Sequence, residues 1–255
     1  MNLTAVINAF SIPSEARLDQ RVPKKLLLEQ DIPTAADKRL IQDGIDELLW
    51  VAALKPTNIG VPSFRDDVRE YLEIAILSVK LRVSAKAPRL VELIHRAIPY
   101  PVVLVASQDE AINLSLAHKR WSQGEIGKVV IEDLRRTAPF KPDELTSDES
   151  AFLASLALSG LPGDNLFTLY QGWLDCVSAL EAARQTGEFV RPIFGVKAAN
   201  LRKSLDELTR IQHNIVLFRA QAEKEKQVSR RVALNLEIQR LETGLAAIIA
   251  SLKDE

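Results

Sequence analysis

Tyr71-Leu-Glu-Ile-Ala-Ile-Leu-Ser-Val-Lys-Leu81 places Leu72, Ile74, Ile76 and Ser78 on one side of an extended chain. Tyr71, Glu73, Ala75, Leu77 and Val79 fall on the other. A period of two is that of a β-strand, so this stretch fixes one strand of a sheet. Upstream, Glu47-Leu-Leu-Trp-Val-Ala-Ala-Leu-Lys55 is short and apolar and is closed by Pro56, which makes it a second strand. The loop between them carries Gly60, Pro62 and Asp66, and it lets the two pair as antiparallel neighbours. Downstream, Ala87 to Ala97 carries Leu90, Val91, Leu93 and Ile94 at helical spacing, with Pro99 and Pro101 closing the helix.

Three further strands follow: Pro101-Val-Val-Leu-Val-Ala106, Ala111-Ile-Asn-Leu-Ser-Leu-Ala117 and Lys128-Val-Val-Ile-Glu-Asp133. Gln108-Asp-Glu110 and Ser122-Gln-Gly124 separate them. The order of helix, two strands, helix and three strands predicts an α+β fold, a mainly antiparallel sheet with flanking helices on one face. A glycine-rich first turn in a βαβ repeat is missing, which argues against a dinucleotide-binding fold.

The region before the first strand reads as helical. Leu3, Val6, Ile7 and Phe10 form one apolar stripe, and Pro23 sits near a helix start in Arg21 to Glu29. Thr34 is an N-cap ahead of Ala35 to Asp43, and Gly44 is the stop. Beyond residue 140 the strand pattern ends. A short helix is predicted over Ser147 to Leu158. An amphipathic one is predicted over Asn165 to Thr186, with Leu166, Tyr170, Trp173, Val177 and Leu180 at spacings of three and four.

From Ala198 to Leu252 Gly244 is the sole glycine and proline is absent. Leu201, Leu205, Leu208, Ile211, Ile215, Phe218 and Ala222 form one apolar stripe. Leu234, Ile238, Leu241, Leu245, Ile248 and Leu252 form another with coiled-coil spacing. The polar stretch 223–231 between them is either solvated helix or the tip of a hairpin; without a breaker, continuous helix is the expectation. A helix so striped needs a partner, from this chain or another. Three regions follow: an α+β domain over 1–140, a helical linker over 141–195 and a coiled-coil arm over 196–255.

The 255 residues are 47% hydrophobic, enough for one sizeable core and an extension. Lys and Arg number 33 against 34 Asp and Glu, so no global charge draws the chain to nucleic acid or membrane. One cysteine, Cys176, permits neither an internal disulfide nor a Cys-rich zinc site, and it reads as a core residue of the amphipathic helix. His95, His118 and His213 lie too far apart for a short metal motif. A signal-peptide pattern and a spanning apolar run are both missing, which points to the cytoplasm. A cofactor is not implied.

Several clusters admit a functional reading. Lys24, Lys25, Lys38, Arg39, Lys55, His118, Lys119 and Arg120 could line one surface and meet DNA phosphates; the alternative is scattered, solvated charge. Asp66, Asp67, Glu70, Glu73 and Lys80 invite comparison with Mg²⁺-dependent nucleases. Glu73, however, is followed by Ile74-Ala75 rather than by x-Lys, and Lys80 stands at an odd offset from it. His118, read as ending a strand, lacks a specific catalytic partner in sequence. Phosphate-binding loops, nucleophile elbows and zinc-protease helices are absent as motifs.

Asp19-Gln-Arg-Val-Pro-Lys-Lys-Leu26, Pro33-Thr-Ala-Ala-Asp-Lys-Arg39, Ala53-Leu-Lys-Pro56 and Arg69-Glu-Tyr-Leu-Glu-Ile74 form a recognisable set. Leu116-Ala-His-Lys-Arg-Trp121 and Glu225-Lys-Gln-Val-Ser-Arg-Arg-Val-Ala-Leu-Asn235 extend it over nearly the whole chain. Together they resemble a bacterial family of unknown function that recurs beside DNA methyltransferases and helicases in restriction-modification and phage-defence gene clusters. The resemblance implies a setting of DNA modification or antiviral defence and no particular reaction. The expectation is a non-catalytic docking subunit. Its Leu234, Ile238, Leu241, Leu245, Ile248 and Leu252 would bind a helicase/ATPase or DNA methyltransferase subunit, or a second copy. DNA binding by the basic clusters is the alternative, and a metal-dependent nuclease a more distant one.

Overall fold

The structure, a computed structural model, describes residues 3–29, 34–125 and 127–254. It is an α+β fold in two compact units, residues 1–177 and 178–255. The first unit opens with α1 (Leu3–Ala9), β1 (Arg17–Arg21), α2 (Lys25–Glu29), α3 (Ala35–Gly44) and β2 (Ile45–Leu54). Next come α4 (Pro56–Ile59), the two-residue strands β3 (Phe64–Arg65) and β4 (Glu70–Tyr71), β5 (Ile74–Leu81), α5 (Ala87–Ala97) and β6 (Val102–Gln108). It continues with β7 (Ala111–Trp121), β8 (Val129–Arg136), α6 (Ser147–Ser155) and α7 (Leu166–Thr186), whose last turns belong to the second unit. That unit is completed by α8 (Val196–Lys224) and α9 (Val228–Asp254).

Six strands form one sheet in the order β1-β2-β5-β6-β7-β8. Every pairing is antiparallel except β5 with β6, which the helix α5 joins as a parallel crossover. β5 is buried at Ile74 to Val79 without alternation, because both faces of the sheet are covered. On one face Ala75, Leu77 and Val79 of β5 and Val102 and Leu104 of β6 pack with Ile41 of α3 and Leu90, Val91 and Ile94 of α5. On the other face Tyr170 of α7 reaches the backbone of β6 and β7. Its hydroxyl donates to Val102 O at 2.6 Å and accepts from Ala117 N–H at 2.8 Å. The β6–β7 ladder extends to Val103 opposite Leu116, so this hydroxyl takes over at its end. The fully buried Trp173 stacks edge-on against Phe10 at 5.6 Å and donates its indole N–H to Leu156 O. Helices therefore flank both faces, which corrects the expectation of one.

Thr34 does cap α3, its Oγ1 accepting from Asp37 N–H at 3.1 Å. Asp37 in turn receives Arg89 of α5 through Nε and Nη2, both at 3.0 Å, which clamps α3 to α5. The Arg89 guanidinium holds the Asp37 carboxyl below its ordinary range. β1 adds a strand to an opening region read as helical. As an edge strand with four of five residues exposed, Arg17-Leu-Asp-Gln-Arg21 carries no apolar alternation to announce it.

In the second unit α8 and α9 pack as an antiparallel helical pair. Ile211 and Ile215 meet Ile238, while Leu205 and Leu208 meet Leu252 and Ala182. The helix does not run through as expected. Glu225 takes an extended conformation, Gln227 N–H is caught by Glu225 Oε1 at 2.8 Å, and α9 restarts. The stretch 223–231 has few apolar groups to bury, so reversing there costs little and lets the two stripes cover each other.

Candidate functional site

Burial decides the status of the residues singled out in sequence. Lys38 and Arg39 are exposed on α3 and Lys25 on α2. Lys24 turns its ammonium to the carbonyl oxygens of Gln42 and Ile45, at the start of β2. Lys55 follows the far end of β2 and pairs with Glu73 at 3.1 Å. Ten residues of strand, roughly 33 Å, separate these two groups. Arg120 is half-buried and donates to Trp121 O at 3.2 Å. It lines a cleft of about 400 Å³ with Arg69, Glu73 and Tyr100. One continuous phosphate-facing surface is not formed.

His118 and Lys119 leave that surface altogether. β7 continues to Trp121, so His118 lies inside the strand, 5% exposed. Its Nδ1 is hydrogen-bonded to the Tyr71 hydroxyl, and its Nε2–H donates to Gln171 Oε1 at 2.8 Å. Gln171 donates onward to Asp175 Oδ1 at 2.9 Å. Burial holds the Tyr71 phenol well above its ordinary value, so it stays a donor. The chain of bonds ties α7 to the sheet. Lys119 is 4% exposed and its ammonium donates to Ile98 O, just past the C-terminus of α5. Neither side chain lies on an exposed basic surface, and Lys119 shows only at the walls of clefts.

The acidic residues do not gather. Asp66 Oδ1 accepts from Val68 and Arg69 N–H at 2.8 and 2.6 Å, closing a turn. Glu70 pairs with Arg65 at 3.2 Å. Lys80 meets Asp46 at 3.4 Å, at the end of β5 away from Glu73. Among the described residues His, Cys, Asp and Glu form no group that could hold a metal ion. Cys176 is buried on α7.

The partner-binding stripe is the largest correction. Ile238 and Leu252 are buried, and Leu241, Leu245 and Ile248 pack on α8, leaving Leu234 half-buried. The chain covers much of this stripe itself, with Leu234, Leu241, Leu245 and Ile248 still partly exposed. A second row takes its place on the opposite side of α9: Val228, Val232, Leu236, Gln239, Thr243, Ala246 and Ala250 are all exposed. Their spacing of four, four, three, four, three and four keeps them on one line over six turns, and that line carries no charge. Val228, Val232 and Leu236 expose 64%, 51% and 61% of their surface. The outward line of α8 differs. Lys203, Asp206, Arg210, His213 and Lys224 are exposed there, with Leu217 among them. The same hairpin thus has one charged, solvated outer face and one that is narrow and uncharged, with Gln239 and Thr243 among its apolar residues. Sequence reading passed over the second row because the first follows the same spacing with larger side chains.

Among the described residues no helix is long and apolar enough to cross a membrane. Residues 10–245 match the family described as "Domain of unknown function (DUF4391)", and the chain belongs to that family. No curated protein and no solved structure matches it.

Proposed function

We propose that this DUF4391 protein is a non-catalytic accessory subunit that docks a partner's helix along the uncharged outer face of α9. The carrying observation is the contrast between the two outer faces of the hairpin. A helix that stays in water normally carries charge on its free side, as α8 does. α9 instead presents Val228, Val232 and Leu236 ahead of the small Ala246 and Ala250, a surface over which another helix can lie closely. The row spans about 33 Å at 1.5 Å per residue, enough for a helix-length contact.

The family resemblance carried by Asp19 to Leu26, Leu116 to Trp121 and Glu225 to Asn235 supplies the setting: a bacterial DNA-modification or defence assembly in the cytoplasm. In this reading the partner is a helicase/ATPase or DNA methyltransferase subunit. DNA contact by the exposed Lys25, Lys38 and Arg39 is secondary, because Lys55 pairs with Glu73 at the far end of β2 and His118 and Lys119 are buried.

The test is co-expression with the products of neighbouring genes, one at a time, followed by co-purification. Val228→Ser, Val232→Ser and Leu236→Ser together should abolish the complex. Lys203→Ala, Asp206→Ala and Arg210→Ala on α8 should leave it intact. A complex that survives the triple serine variant refutes docking through α9. A homodimer that the triple variant splits, with partner binding unchanged, makes the face a self-association surface instead.

A further inference from the structure

We infer that the cavity between α5, β7 and β8 binds a small carbonyl compound, an aldehyde or 2-oxo acid, through an imine to Lys119. The cavity holds about 470 Å³, room for a small organic molecule. Val129, Ile131 and Leu134 of β8 give it apolar walls, and Lys119 and His95 supply its buried polar wall. Arg96, paired with Glu92 at 3.9 Å, and Lys128, paired with Glu125 at 3.1 Å, stand at its rim.

Two independent features single out this polar wall. His95 is fully buried; its Nε2 lies 3.0 Å from Ser115 Oγ, while Nδ1 has no hydrogen-bond partner. Buried polar atoms are seldom left unpaired, and a small shift of the wall would open this one to a ligand in the cavity. Lys119 has no carboxylate partner among the described residues; its one hydrogen bond goes to Ile98 O. Burial brings its pKa down to about 7, so a large fraction is free amine at neutral pH. Burial first, and then the nearby Lys119, keep the His95 imidazole neutral.

The chemistry balances without a further reagent. The Nζ lone pair attacks the carbonyl carbon and forms the C–N bond, and the carbonyl oxygen takes up a proton to give a carbinolamine. Loss of that hydroxyl with a second proton, as water, and of the remaining amine proton gives the imine. Amine and carbonyl compound thus yield imine and water. The neutral imidazole of His95 offers the hydrogen bond that the carbinolamine oxygen or a ligand oxygen needs inside the cavity.

Glyoxylate is a suitable probe, since it carries both an aldehyde and a carboxylate. The full-length protein is treated at neutral pH with glyoxylate and cyanoborohydride, which reduces an imine to a stable carboxymethyl-amine. Peptide mass spectrometry should place one adduct on Lys119, formed at least tenfold faster than on exposed Lys80 or Lys86. Lys119→Met, shown to be folded by its circular dichroism, should keep only the slow background labelling. Protein unfolded in urea should lose the selectivity. Labelling spread over exposed lysines, with Lys119 unmodified in the folded protein, overturns the inference. The outcome is independent of docking by α9.

Discussion

Lys119 illustrates how a residue type misleads until its surroundings are known. In sequence it sits in His118-Lys-Arg120, a basic run of the kind that meets phosphate. In the fold it is enclosed under β8 and α5, and burial brings its pKa from 10.5 to about 7. The consequence for stability has a definite sign. Between pH 7 and 10.5 the unfolded lysine is protonated while the folded one is largely neutral, so unfolding takes up a proton and stability rises with pH. The rise is at most about 1.4 kcal/mol per pH unit. Above pH 10 the buried phenols of Tyr71 and Tyr170, which resist ionisation when folded, reverse the trend. Urea midpoints should therefore climb from pH 7 to 9.5, and Lys119→Met should flatten the climb while raising stability at pH 7. A flat profile in the unaltered protein would contradict the burial. Tyr170→Phe tests a second buried polar group. Losing its bonds to Val102 and Ala117 should cost about 1–3 kcal/mol by chemical denaturation.

At the scale of elements, legibility followed burial on one side or two. β2, β5, α5, α6 and α7 were readable, because strands of the core and helices with one apolar face carry periodic patterns. Thr34 was readable as a cap for the same local reason. β1 was not, since an exposed edge strand is held by backbone bonds to β2 and needs no apolar side chains. The break at Glu225 was hidden as well, because a polar helix and a polar turn have similar compositions. The site was less legible than the fold. His95 and His118 lie 23 positions apart and face opposite sides of the sheet, and nothing in their local sequence marks either as buried.

The hairpin permits a sharp separation between folding and docking residues. Ile238→Ala removes a buried contact with Ile211 and Ile215 and should destabilise the hairpin by about 2–4 kcal/mol. Val232→Ser with Leu236→Ser touches exposed positions and should stay within about 0.5 kcal/mol of the starting protein. Thermal unfolding followed by circular dichroism distinguishes the two. Equal losses in both variants would mean that the outer row is part of the fold rather than a free surface.

For the whole molecule, the sequence suggested an arm whose heptad stripe waited for another chain. The stripe packs on α8, so the proposed docking rests on the other side of α9. Formal charge is nearly balanced, and the exposed basic residues are dispersed between the two ends of β2. Long-range attraction to DNA is therefore weak. The most direct measurement is light scattering on size-separated complexes of this protein co-expressed with the products of its neighbouring genes. A complex containing both chains, lost when Val228, Val232 and Leu236 become serine and retained when Lys203, Asp206 and Arg210 become alanine, is the predicted result. The same complex persisting unchanged in the serine variant would contradict it.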